Sequence, residues 1–211
     1  MAILGDGALA LHEFLVNEPL PLATIQDAVL GFLRDRDDAV LFGAQAVNAY
    51  VAEPRMTADV DILSTRPAEF AAELRDHLRE RFHIAIRLRQ VHGGRGFRLY
   101  QVRAPSNRHL VDVRAEPSPP PFQRVQGVAV LPPAHLVASK VRAFSGRRRK
   151  PKAGTDWRDL AMLLLTFPEL KTEEGPVRQC LEQNDAPPEA LAAWRELVAE
   201  EIAPQGEDEG F

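Results

Sequence analysis

The chain has 211 residues, 45% of them apolar and 27% charged, with a formal net charge of −4 at pH 7. That length gives one sizeable domain, or one and a half, with a real core. The single cysteine, Cys180, excludes a disulfide framework or a Cys-based zinc site within one chain. The longest apolar run, residues 160–167, is too short to span a bilayer, and the N-terminus lacks a basic region and a cleavage signal; a cytoplasmic protein without a membrane partner is expected.

In chain order, residues 23–35 place Ile25, Val29, Phe32 and Leu33 on one side of a helix. Residues 39–42, AVLF, read as a short buried strand, and 43–52 as a helix starting on Gly43 and ended by Pro54. A second strand is expected over 59–64, an amphipathic helix over 67–82, and two strands over 84–91 and 97–103 joined by the turn HGGRG. Strands over 109–116 and 128–131 flank the linker EPSPPP. From there the pattern is helical. Pro132 and Pro133 open a helix through Phe144, Thr155 caps one over 156–167, and Pro187 and Pro188 open one over 189–203. The expectation is an α+β mixed sheet with flanking helices over 1–131, and a helical portion over 132–211 packed against it.

The charge is uneven. From Glu196 onward there are six acids and no base, and the tail at Glu207, Asp208 and Glu209 is expected to be frayed. Residues 147–152, RRRKPK, hold five bases in six positions: Arg147, Arg148, Arg149, Lys150 and Lys152. Such a block either binds phosphates or is a solvated interhelical loop.

The stretch RMTADVDIL, residues 55–63, carries the chemistry. Strand residues two apart share a face, so Asp59 and Asp61 stand on one side and Val60 and Ile62 on the other. Asp112 sits in LVDVR with the same alternation. Three carboxylates on one side of a sheet either edge a polar face or hold a cation. Hard divalent ions such as Mg²⁺ take carboxylate oxygens and leave positions for phosphate, and two such ions can clamp the attacking and leaving oxygens of a phosphoryl-type transfer. Upstream, LFGAQ places Gly43 at a strand-to-helix turn, where free backbone N–H groups attract phosphate.

The string FGAQAVNAYVAEPRMTADVDIL resembles the signature of the nucleotidyltransferase superfamily with the DNA polymerase β fold: an apolar residue, Gly, Gly or Ser, a spacer, then Asp-x-Asp, with a third acid on a later strand. More narrowly it is similar to the AbiEii-type abortive-infection toxin branch, which carries Arg-x-Thr before the acidic pair, as Arg55 and Thr57 do here. The resemblance spans roughly residues 39–165. Ala44 stands where the superfamily has Gly or Ser, so a phosphate contact there falls to backbone amides or to Gln45. The branch also carries a helix lysine, matched by Lys140, and a Lys-Asp-x-x-Asp-Leu motif; TDWRDL matches its acids with Asp156 and Asp159 and departs from it at Thr155. From the residues alone, Lys140 lies within the stripe Leu136, Val137, Val141 and Phe144 and either binds a triphosphate or snorkels. Asp159 or Asp156 orients it or acts as a base, and Asp156 is equally a charge at a helix start. Arg55 contacts a phosphate or pairs with Asp59 or the sheet edge; Thr57 begins the strand. Tyr50 and Trp157 stack a base or belong to the core. No histidine pair has zinc-ligand spacing, and His92 has no assigned role.

The resemblance implies a transferase moving a nucleoside monophosphate from an NTP to an acceptor hydroxyl. Asp59, Asp61 and Asp112 would bind Mg²⁺ (or Mn²⁺), and Gly43, Ala44, Gln45, Arg55, Thr57 and Lys140 would bind the nucleotide. It also implies an RNA acceptor of tRNA type, met by RRRKPK, and an antitoxin partner. Two rivals stay open: a small-molecule acceptor, and a degenerate non-catalytic binding protein.

Overall fold

The structure, a computed structural model, describes residues 20–203; the acidic tail and the N-terminal stretch lie outside the described residues. The chain divides into two compact units. One comprises residues 1–45 and 56–131, the other residues 46–55 and 132–211.

The first unit is built on a seven-stranded mixed sheet. Helix α1 (Leu22–Leu33) leads into strand β1 (Ala39–Phe42), which turns at Gly43 into the short helix α2 (Gly43–Asn48). Then follow β2 (Val60–Ser64), helix α3 (Pro67–Phe82), β3 (Ile86–Val91), β4 (Gly96–Gln101), β5 (Arg108–Ala115), β6 (Gln123–Val125) and β7 (Val128–Val130). The spatial order is β3-β4-β5-β2-β1-β7-β6. β2 runs parallel to β5 and β1 parallel to β7; the remaining neighbours are antiparallel. Paired residues share a face, so Leu99, Val111 and Val60 line up across three strands, all fully buried. α3 packs on this sheet through Phe70, Leu74 and Leu78, and α1 packs on α3.

Several expected boundaries move. The helix at Gly43 ends at Asn48, well before Pro54. Asn48 ends it chemically: its side chain donates to the Arg55 carbonyl at 2.8 Å and accepts from the Arg55 N–H at 3.0 Å, closing the 48–55 loop. Asp59 lies just before β2, and Thr57 does not begin the strand. Instead Gln26 Nε2 donates to the Thr57 carbonyl at 3.0 Å and hydroxyl at 3.2 Å, burying the threonine. Strand β6 was not expected. Gln126 and Gly127 both take positive φ (51° and 86°), which makes a two-residue hairpin turn between β6 and β7.

The second unit is helical: α4 (Pro133–Ser145), α5 (Lys152–Thr166), α6 (Pro176–Gln183) and α7 (Pro188–Ala199). Thr155 is not a cap. α5 begins at Lys152, and the Thr155 hydroxyl donates back to the Lys152 carbonyl at 2.8 Å. Asp156 therefore stands more than a turn inside the helix, which removes its reading as a helix-start charge. α6 was also not expected; its stripe of Val177, Cys180 and Leu181 is buried. Tyr50 meets Phe167 edge-on and Trp157 tilts on Phe144, both ordinary packing contacts within this unit.

Candidate functional site

In the first unit, sheet register gathers the carboxylates. Asp61 of β2 is the direct partner of Asp112 on the parallel neighbour β5, and Asp112 is the partner of Arg98 on β4. Asp59 precedes Asp61 by two residues, while Val60 and Ile62 point into the core with no exposure. Burial is graded: the side chains of Asp59, Asp61 and Asp112 are 35%, 20% and 6% exposed.

Each carboxylate has a basic neighbour. Arg98 donates to Asp112 from Nε at 2.9 Å and Nη2 at 3.4 Å. Arg114 Nη2 lies 3.5 Å from Asp61 Oδ1, and its guanidinium stacks over Phe42, 4.8 Å from the ring centre. His109 Nδ1 lies 3.1 Å from Asp59 Oδ2. The hydrogen bond that the imidazole donates to Asp59 outweighs burial and holds its pKa above the ordinary value. Like charges on adjacent strands repel, and here arginine and histidine side chains of β4 and β5 offset that repulsion. Sequence reasoning missed Arg98, Arg114 and His109. The signal for Arg98 and Arg114 lay in the alternation of FRLY and VDVR, which places them on the Asp112 side once the strands are paired; His109 falls on the other side by alternation and pairs with Tyr100 only through the register shift after Leu99.

Gly43 explains itself against Asp61. Its φ is +72°, and a Cβ built there would sit 2.1 Å from Asp61 Oδ2 and 2.8 Å from Cγ. Any side chain would meet the carboxylate, so the glycine is where β1 lets Asp61 approach the turn into α2. Ala44 and Gln45 follow in that turn.

Among the described residues no group of three His, Cys, Asp or Glu side chains is gathered as a ligand set. That is compatible with Mg²⁺, which is held by one or two carboxylates plus phosphate and water rather than by an all-protein cage. The donor type, the Asp61–Asp112 register and the bare backbone at Gly43 fit such an ion; the ion pairs to Arg98 and Arg114 would yield to it.

The helical unit carries a second charged cluster. Asp159 is 1% exposed. Lys140 Nζ donates to its Oδ2 at 2.6 Å, and Arg55 forks onto both oxygens at 2.7 and 2.8 Å. Lys140 thus has a buried partner, not the path to water that snorkelling needs. Burial pushes the Asp159 carboxyl up, but Arg55 and Lys140 together pull it below the usual range. It orients the two cations and is a poor base. Asp156, also buried, accepts from Arg147 Nη1 at 3.1 Å. Arg148 pairs with Glu196. Two members of the basic block are therefore engaged within this unit, and Lys152 starts α5. Cys180 is buried, and burial pushes its thiol pKa up.

Residues 27–207 match the family model described as nucleotidyl transferase AbiEii toxin, type IV TA system. The chain belongs to the AbiEii family. The family is described as one of nucleotidyltransferase toxins of type IV toxin–antitoxin systems. Solved structures are similar to the chain, and the first of them shares its fold. The Megavirus polyadenylate synthase is 12% identical with a TM-score of 0.58; the match covers 76% of this chain and 34% of that one, so the AbiEii chain spans about a third of that protein. JHP933 from Helicobacter pylori is 12% identical, with 84% and 90% covered and a TM-score of 0.49. An antigenic nucleotidyltransferase-like protein from Paracoccidioides brasiliensis is 18% identical, with 82% and 89% covered and a TM-score of 0.43. No curated protein sequence matches the chain significantly. No helix among the described residues is long and apolar enough to cross a membrane.

Proposed function

We propose that this AbiEii protein transfers a nucleoside monophosphate from an NTP to a hydroxyl at the end of an RNA of tRNA type, releasing pyrophosphate. The observation that carries the reading is the in-register pair Asp61–Asp112, with Asp59 two residues before and Asp61 seated against Gly43. Asp59, Asp61 and Asp112 would hold Mg²⁺ (Mn²⁺ in its place), which supplies Lewis-acid polarisation of the α-phosphate when bound.

The chain's own residues do the rest. Gly43, Ala44 and Gln45 offer backbone N–H groups to phosphate oxygens without a Cβ in the way at Gly43. Lys140 and Arg55, both held by Asp159, are the cations offered to a triphosphate. Thr57, fixed by Gln26, positions the 55–59 segment that delivers Asp59. A carboxylate of this face beside the acceptor would take the hydroxyl proton. On RRRKPK, the residues left for an RNA backbone are Arg149 and Lys150, with Lys152 beside them, because Arg147 and Arg148 are paired.

The test is incubation with each α-labelled NTP, Mg²⁺ and total RNA, with and without periodate oxidation of the RNA 3′ diol. Label in RNA that oxidation prevents supports the reading. Label found only in small molecules assigns a small-molecule acceptor, and no label with any NTP removes the transferase reading for this chain.

A further inference from the structure

From Arg81 to Val111 the sequence contains no acidic residue and seven arginines: Arg81, Arg87, Arg89, Arg95, Arg98, Arg103 and Arg108. The sheet sorts part of this run onto one face. Arg89 pairs with Arg98, Arg98 with Asp112, and Asp112 with Asp61, so the four stand in one row across β3, β4, β5 and β2. Arg87 stands beside Arg89 on the same face, opposite Tyr100. Neighbouring strands lie about 4.8 Å apart, which puts Arg98 and Arg89 roughly 5 and 10 Å from the Asp112 strand.

The inner member of the row, Arg98, is taken by Asp112. The outer two differ. Arg87 and Arg89 are exposed on the edge strand and have no ion pair among the described residues, and β3 and β4 contain no acid to give them one. Structural arginines of this chain behave otherwise: Arg36, Arg66 and Arg75 are all locked to carboxylates. The opposite face of the same strands carries Ile86, Leu88, Phe97 and Leu99 with two glutamines and no charge, Leu99 being buried beneath α3, so packing does not require charge on the open side.

We infer that the β3–β4 arginine face is the surface along which the acceptor RNA runs to the Asp61–Asp112 pair, with Arg87 and Arg89 on its phosphates. The inference rests on the transferase reading above. A negatively charged polymer fits because the positive face leads in single steps of one strand to the carboxylates. A free nucleotide would need one compact anion pocket, not a row. The acid-free run explains why the face stays unpaired, since self-neutralisation would abolish it. RRRKPK, half engaged within its own unit, is the weaker candidate for the main track.

The experiment compares wild type, Arg87→Gln/Arg89→Gln and Arg87→Lys/Arg89→Lys for RNA affinity at several salt concentrations, for NTP affinity, and for label transfer to RNA. Exposed and unpaired, both sites tolerate the changes, and melting curves check this. The Gln pair is expected to bind RNA at least about tenfold more weakly at low salt, with a salt slope shallower by about 0.7 per lost contact on a single strand and about 0.9 on a duplex. Its NTP affinity should be unchanged, and the Lys pair should recover most of the slope. A Gln pair that binds and labels RNA like wild type overturns this inference and leaves the transferase reading standing. A wild type that labels no RNA overturns that reading and this one with it.

Discussion

Gly43 and Asp61 are a matched pair, and one methyl group tests them. In Gly43→Ala the new Cβ would fall 2.1 Å from Asp61 Oδ2 at a φ of +72°. The backbone strain alone costs about 1–2 kcal/mol. The carboxylate must also swing aside, and a displacement of about 1 Å in a positioned group lowers turnover by about 10²-fold. The expected result is a modest loss in the urea midpoint with a far larger loss in transfer rate. Equal, small losses in both would mean that Asp61 does not act from this position. Asp159 offers a second test at this scale. It is the buried partner of Lys140, so Asp159→Ala leaves that buried cation without its carboxylate and is expected to lose about 3–5 kcal/mol of stability. Lys140→Met keeps the apolar stem and leaves Asp159 paired with Arg55, so its stability loss should be clearly smaller while NTP affinity falls. Denaturant melts of both variants with an NTP titration of the second decide; an unchanged NTP dissociation constant would return Lys140 to a structural role.

Elements are tied together by a four-residue ion network in the sheet unit. Asp38, just before β1, accepts from Arg36 at 2.9 and 2.7 Å and from Arg66 Nε at 2.7 Å, and both arginines also reach Glu73 of α3. The Ser64 hydroxyl at the end of β2 donates to the Asp38 carbonyl at 2.8 Å. The start of β1, the end of β2 and the first turns of α3 are thereby held in one place, which fixes the register that brings Asp61 to Phe42 and Asp112. The Arg36 hydrogen bonds, helped by Arg66 and opposed by burial, lower the Asp38 pKa to about 2. A depressed carboxyl stabilises the fold above its unfolded value near 4, and that contribution is lost as pH falls through about 2. At neutral pH it is worth about 2 kcal/mol. Asp38→Asn is therefore expected to lower the urea midpoint at pH 7 and to flatten the loss of stability between pH 4 and pH 2. A variant whose acid curve runs parallel to wild type would show that other carboxylates govern this range.

At the scale of the whole molecule, the sheet-then-helix plan was legible, and α3 was expected at its observed limits of residues 67 and 82 because Pro67 opens a continuous amphipathic pattern. The alternation around Asp61 and Asp112 was legible for the same reason, a period of two fixing the face, while Asp59 lies before the strand that was expected to include it. What the sequence did not display were partners set by pairing. Arg98 meets Asp112 only because β4 runs antiparallel to β5 with that register, and Asp159 meets Arg55 across 104 residues of chain. β6 was hidden because its turn uses Gln126, not the usual Asn or Asp, at a positive φ. α6 was hidden because only three apolar residues mark its eight positions. Thr155 was misread as a cap because it looks like one, yet the polar run before it is already helical. The central claim, that the Asp59–Asp61–Asp112 face transfers a nucleotide, is tested most directly by one comparison. Wild type and Asp61→Asn are incubated with α-labelled NTP, Mg²⁺ and total RNA, and label in RNA is counted while melting curves confirm both folds. The account predicts label with wild type and none above background with Asp61→Asn at a similar melting temperature. Equal labelling by a folded Asp61→Asn protein would contradict it.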